Sequence, residues 1–196
     1  MGDALGGHLG HVLIVDDNEA NREVLSRRLE RHGYSFAAAE DGIQAMEMMR
    51  SQPFDIIMLD IMMPRMNGYQ VLEAMKADPA LADLPVIVVS AVSELESIVR
   101  CVELGAEDYL FKPFNPVLLK ARLTAILEKN RRLAALKDST KRAKVAVQSS
   151  LNTIKGAAAA LLTHTSDPLT ADQRELIQHI EQTAQNLAAQ LPTMIP

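Results

Sequence analysis

Five short apolar runs alternate with stretches of helical period along the first part of the chain. Val12-Leu13-Ile14-Val15 runs into Asp16-Asp17-Asn18, and Ser35 to Ala39 runs into Asp41-Gly42. Phe54 to Leu59 delivers Asp60 ahead of Pro64, Leu84 to Val89 ends at Ser90, and Asp108 to Phe111 ends at Lys112-Pro113. Runs bounded by turn residues, with little polar alternation, read as strands covered on both faces. Between them, Asn21–Arg31, Ile43–Arg50, Tyr69–Lys76 and Glu94–Leu104 carry apolar residues three and four apart, with Gly33 and Gly105 as stops. A further helix begins at Asn115. This alternation predicts an α/β fold with a five-stranded, doubly wound parallel sheet. Right-handed crossovers then bring Asp16, Asp17, Asp60, Ser90 and Lys112 to one edge of the sheet.

From Leu119 the pattern changes. Leu119, Leu123, Ile126, Leu133, Val147, Leu151, Ile154, Ala158 and Leu161 fall on one 4-3 spacing, with Asn130, Lys137, Thr140 and Lys144 as its polar members. A sustained heptad predicts that the last helix runs on as a coiled coil. Asn130 serves as a register pin, and Lys137–Lys144 is the weakest stretch, a break or a hinge. Ser166-Asp167-Pro168 ends this helix, Thr170 and Gln173 form a capping-box signature for the next, and Pro192 stops it. Ile177, Ile180, Ala184, Leu187 and Leu191 give that second helix one apolar stripe. One hairpin cannot bury both stripes, whereas four helices from two chains can, so a homodimeric four-helix bundle is expected.

Charge supports two modules. Residues 1–117 carry 9 Lys/Arg against 19 Asp/Glu, and residues 118–196 carry 11 against 6. Within 118–155 there are 10 Lys/Arg and 2 Asp/Glu. That excess reads as a solvated face or as a nucleic-acid contact, without a helix-turn-helix or interleaved aromatics to support the latter. No apolar run approaches the roughly 18 residues of a membrane span. The Gly-rich start lacks the basic and apolar parts of a secretory leader and is expected to be disordered over 1–10. A lone cysteine, Cys101, excludes an internal disulfide, fits a cytoplasmic location and reads as a buried structural thiol.

The chemistry gathers at the strand ends. Three carboxylates about 4 Å apart repel by roughly 4 kcal/mol per pair at an effective dielectric near 20. Such a cluster calls for a cation, and oxygen donors favour Mg²⁺. A divalent ion, a lysine and a hydroxyl around one carboxylate are the parts that move and hold a phosphoryl group, with the carboxylate as nucleophile. Taken singly, Asp-Asp after a strand is a helix cap and Lys-Pro is a turn. Together, Val12–Asp17, Leu59–Pro64 with Gly68, Val88–Ala91 and Tyr109–Pro113 resemble the receiver domain of two-component response regulators, a flavodoxin-like fold, over residues 11–127. The resemblance implies that Asp60 is the phosphoacceptor. It further implies that Asp17, Asp60 and the Met62 backbone carbonyl ligate Mg²⁺, with Asp16 acting through a water. By the same resemblance Ser90 and Tyr109 are switch residues, Lys112 pairs with the phosphoryl group, and the Lys112–Pro113 bond is cis. Such a receiver is a phosphoacceptor signalling protein rather than an enzyme, beyond catalysing its own phosphorylation and dephosphorylation. Its partner is a sensor histidine kinase or a phosphotransfer protein.

The second module, a hairpin over 143–196 reached by a helical linker over 128–142, is similar to the dimerisation and phosphotransfer hairpin of histidine kinases. The likeness rests on Ser150–Gly156, Asp167–Glu175 and Asn186-Leu187. Val145 stands where the phosphorylated histidine belongs, Ala146 where its acidic neighbour belongs, and Ser150 replaces the proline. The implied module is a phosphotransfer fold without its chemistry. Its only histidines, His164 and His179, leave one alternative, a phosphotransferase relay through either of them, beside the nucleic-acid alternative above.

Overall fold

The computed structural model describes residues 9–91, 95–113, 115–163 and 169–194. Five strands, β1 (His11–Val15), β2 (Ser35–Ala39), β3 (Ile56–Leu59), β4 (Val86–Ser90) and β5 (Asp108–Phe111), form one sheet in the order β2-β1-β3-β4-β5, and every neighbouring pair is parallel. The expected five-stranded parallel α/β sheet is present. Helices α1 (Glu19–Arg31), α2 (Gly42–Ser51), α3 (Gly68–Ala77) and α4 (Leu95–Glu103) connect the strands, and α5 (Pro116–Thr163) and α6 (Ala171–Met194) follow.

Side chains alternate across each strand, and both faces are covered. Leu13, Val15, Ile57, Leu59, Val86 and Val88 pack with Ala45, Met46 and Met49 of α2, Val71, Leu72 and Met75 of α3, and Cys101 of α4. Val12, Ile14, Ile56, Met58, Ile87, Val89 and Leu110 face the other way, toward Leu25 and Leu29 of α1 and Leu119, Leu123, Ile126 and Leu127 of α5. Cys101 is a free, buried thiol, and burial raises its pKa against the smaller opposing effect of Arg100. Each fully buried aliphatic side chain contributes about 1.5–3 kcal/mol, which is why these strands carry almost no polar position.

Three expectations change. The helix read as starting at Asn21 begins at Glu19, because the Asn18 side chain accepts a hydrogen bond from the Asn21 amide and caps it. The disordered stretch expected over 1–10 lies, for its first eight residues, outside the described residues. Leu9 and Gly10 are tied to the turn before β2 and to its start, Leu9 N donating to Gly33 O at 2.9 Å and Ser35 N to Gly10 O at 3.0 Å. The heptad frame from Leu119 does not begin as a coiled coil. Its first members, Leu119, Leu123 and Ile126, are buried in the sheet core, since 4-3 spacing lays a helix on a sheet as readily as on another helix.

The chain divides into two compact units, 1–130 and 131–196. Helix α5 is unbroken through Lys137–Lys144. In the second unit the buried apolar residues among those described are Leu151 and Ala158 on α5, and Ala184 and Leu191 on α6, each pair one heptad apart. Val147, Ile154 and Leu161, and Ile180 and Leu187, stay exposed, again at heptad steps. Thr170 and Gln173 form the anticipated capping box, Thr170 N donating to Gln173 Oε1 at 3.0 Å and Gln173 N to Thr170 Oγ1 at 3.3 Å. The Ser166-Asp167-Pro168 turn lies outside the described residues. No described helix is long and apolar enough to cross a membrane.

Candidate functional site

Strand register builds the site. Val15 pairs with Leu59, so Asp16 and Asp60 leave adjacent strands side by side, and Asp60 N donates to Val15 O at 2.8 Å. Ser90 pairs with Phe111 at the end of the next two strands, and Lys112 N donates to Ser90 O at 2.9 Å. Carboxylate oxygens of Asp16, Asp17 and Asp60 all lie within 4.8 Å of one another, Asp16 and Asp60 buried and Asp17 exposed.

Lys112 holds the cluster together. Its Nζ donates to Asp16 Oδ2 at 2.7 Å and also to Asp60 Oδ2. Burial alone would lower the Lys112 pKa, but the hydrogen bonds and charges of Asp16 and Asp60 outweigh it and raise the pKa above the ordinary lysine value. The other oxygen of Asp60 accepts from the backbone amides of Ile61 at 2.7 Å and Met62 at 3.3 Å. Asp16 Oδ1 accepts from Asn18 N at 3.0 Å and Asn21 Nδ2 at 3.1 Å. Three carboxylates against one lysine leave this edge rich in oxygen donors with a single cation among them. That donor set fits a hard divalent cation such as Mg²⁺.

Ser90 is fully buried, and the half-buried Tyr109 sits on the neighbouring strand, close enough for the serine hydroxyl to act on the phenol. Burial raises the Tyr109 pKa, with the Ser90 hydroxyl opposing and the nearby Asp60 charge adding to the rise. The Lys112–Pro113 bond is cis. The Met62 side chain is 66% exposed and, with Asp17, Pro64, Asn67 and Tyr69, lines a groove of about 350 Å³ beside the cluster. A second groove, of about 320 Å³, opens on the other side between Val24, Leu25 and Arg28 of α1 and Lys112-Pro113.

Asp16, Asp17, Asp60, Ser90, Tyr109 and Lys112 are thus brought to one edge. Sequence reasoning missed Asn18, Asn21 and Arg22, whose Nη1 donates to the carbonyls of Asp16 at 2.8 Å and Asp17 at 3.0 Å. The available signal was the Asn18 cap, which frees both aspartates for other work. In the second unit Val145 is exposed on α5. His179 is exposed on α6 among Glu175, Gln178, Glu181, Gln182 and Gln185. His164 lies outside the described residues.

A doubly wound parallel sheet with an aspartate cluster, a lysine and a hydroxyl at its carboxyl edge defines the open α/β class in which ligands bind at the topological switch point. The response regulator receiver domain family matches residues 12–124, and the chain belongs to it. Response regulator MprA of Mycobacterium avium is 39% identical over 120 residues, covering 61% of this chain and 52% of the relative. The "Probable transcriptional regulator ycf27" of Guillardia theta is 38% identical over 123 residues, 63% of this chain and 47% of that protein. The chain therefore spans about half the length of the curated relatives it matches. Among solved structures, the receiver domain of the sensor histidine kinase PA1611 from Pseudomonas aeruginosa PAO1 has a magnesium ion coordinated in its active-site cleft. It shares 29% identity and a TM-score of 0.57, over 61% of this chain and 98% of that one. Chemotaxis protein CheY4 of Vibrio cholerae gives 30% identity and a TM-score of 0.57, over 59% and 97%.

Proposed function

We propose that the chain is a two-component response regulator phosphorylated on Asp60 by a histidine kinase or phosphotransfer protein. An Asp60 carboxylate oxygen attacks the donor's phosphorus, the bond to the phosphohistidine nitrogen breaks, and the imidazole leaves with the bonding pair. The product is an acyl phosphate on Asp60. Asp17, Asp60 and the Met62 carbonyl would hold Mg²⁺ directly and Asp16 through a water. The ion when bound neutralises charge on the transferring phosphoryl oxygens. Lys112 already bridges Asp16 and Asp60 and turns its ammonium to the phosphoryl group. The apolar groove between α1 and Lys112-Pro113 gives a donor protein ground to seat on beside the acceptor.

The new charge draws the buried Ser90 hydroxyl toward a phosphoryl oxygen, and the Tyr109 ring follows it inward. The receiver, residues 11–127, passes this change through a helical linker, 128–142, to the hairpin, 143–196. We read the hairpin as one half of a homodimeric four-helix bundle, because its exposed heptad stripe matches what a second copy would cover. Val145 at the histidine position makes it a docking module without phosphotransfer of its own. Output is by protein–protein contact.

The observation that carries the reading is Lys112 held between the carboxylates of two adjacent strand ends, with the buried Ser90 at the end of the next strand. Incubation with acetyl phosphate and Mg²⁺ should label the wild-type chain at Asp60, and Asp60→Asn should abolish the label. Undiminished labelling of the Asp60→Asn chain at another residue would refute the assignment.

A further inference from the structure

The loop between β3 and α3 holds the acceptor by its inner end and is fastened elsewhere by its outer end. Inside, the amides of Ile61 and Met62 grip Asp60 Oδ1, and Gly68 N donates to Ile61 O at 3.0 Å to close the loop on itself. Outside, Gly42 at the start of α2 donates to Met66 O at 3.2 Å. A Cβ on Gly42 would come within 2.7 Å of that oxygen, so only glycine permits the approach. Between these two ends lies Arg65.

Arg65 has φ of 64°, the one positive value on a non-glycine among the described residues. L-residues rarely adopt that conformation unless contacts hold them there. Here the contacts are visible. Arg65 Nη2 donates to Glu40 Oε1 at 2.9 Å and pairs with Asp41 Oδ2. Asp41 is fully buried. Its Oδ1 caps α2 by accepting from Gln44 N at 2.8 Å, and its buried Oδ2 accepts no hydrogen bond among the described residues, so the Arg65 charge is what it faces. A buried carboxylate oxygen with one cation beside it ties that cation in place far more firmly than an exposed pair would.

We propose that Arg65 is a positioning residue of the acid pocket. Through Asp41 it fixes the loop so that the Ile61 and Met62 amides and the Met62 carbonyl keep their places around Asp60, and so it sets the pocket's affinity for a divalent cation. This rests on the phosphoacceptor reading above. Both acids meet the same guanidinium nitrogen, Nη2, a point contact that the ammonium of a lysine, on its shorter and differently shaped side chain, reproduces in part.

The test is Mg²⁺ titration of the full chain by calorimetry, with circular dichroism to show that each variant is folded. Arg65→Gln should weaken Mg²⁺ binding about tenfold, the low end of what outer partners of metal ligands contribute. Asp41→Asn keeps the helix cap but loses the charge, and should weaken binding equally. The double variant should lose no more than either single, Arg65→Lys should recover part of the loss, and Glu40→Gln, which touches only the exposed partner of Arg65, should weaken binding less than Asp41→Asn. Wild-type affinity in folded Arg65→Gln and Asp41→Asn overturns the proposal, as do additive losses in the double variant. Should Arg65→Gln fail to fold, Asp41→Asn and Arg65→Lys decide the matter by the same criteria. A wild-type chain that binds no Mg²⁺ overturns the phosphoacceptor reading itself and this inference with it.

Discussion

The Tyr109 phenol feels both the Ser90 hydroxyl and the Asp60 charge, and this makes the tyrosine a reporter of the site. Burial favours the neutral phenol, so its folded-state pKa lies above the ordinary value of 10.0. A raised acid contributes stability that is complete below the unfolded value and is lost as pH rises through the folded one. Tyr109→Phe should therefore remove, from an ultraviolet absorbance titration, a phenolate transition lying above pH 10. A missing component at or below pH 10 would contradict the burial account. At this scale the sequence was informative where a residue ends an apolar run, as Asp16, Asp60, Ser90 and Lys112 do. Beyond the cap that Asn18 signals, it was silent on Asn21 and Arg22, because polar residues in the first turns of a helix look the same whether they brace the preceding loop or merely solvate. Arg65 was also illegible. Nothing in its neighbours Pro64 and Met66 signals a positive φ, and its partner Asp41 read only as part of a turn.

At the scale of elements, α5 shows how one spacing serves two purposes. Leu119, Leu123, Ile126 and Leu127 lie in the core under the sheet, while the adjacent Val117 and Leu118 are exposed. The receiver accordingly needs α5 through at least residue 127, and a chain cut at 117 would lose that face of its core. Leu123→Ala should destabilise the first unit by about 2–5 kcal/mol, whereas Val117→Ala should stay within about 0.5 kcal/mol. All three tyrosines lie in this unit, and the Tyr34 hydroxyl is 3.3 Å from Thr124 Oγ1 of α5, so tyrosine fluorescence in a urea titration reads the difference. Equal midpoints for the two variants would mean that α5 does not belong to this core. The apolar strands and their order were legible because continuous burial on two faces leaves a continuous apolar run. The destination of a 4-3 stripe was not, since periodicity records that a face is buried and not what covers it.

For the whole molecule, the proposal is a second copy against the hairpin. Val147, Ile154, Leu161, Ile180 and Leu187 repeat at heptad steps and remain exposed, which is apolar surface a dimer would remove from water. Light scattering at tens of micromolar should report a dimer, and Ile154→Glu with Ile180→Glu should convert it to a monomer that still takes label on Asp60. A wild-type chain that is monomeric under those conditions removes the bundle from the account. The middle of α5 adds something of its own. Between Leu127 and Leu151 no described residue is buried, yet the helix is continuous. Such a stretch has only the marginal stability of an isolated peptide helix unless another surface lies along it. Its Arg131, Arg132, Lys137, Lys141, Arg142 and Lys144 are each a trypsin cleavage point. If the proposed second copy lies along this segment, dilution should expose it and assembly should shield it. The rate of cutting would then be a clock that runs on concentration.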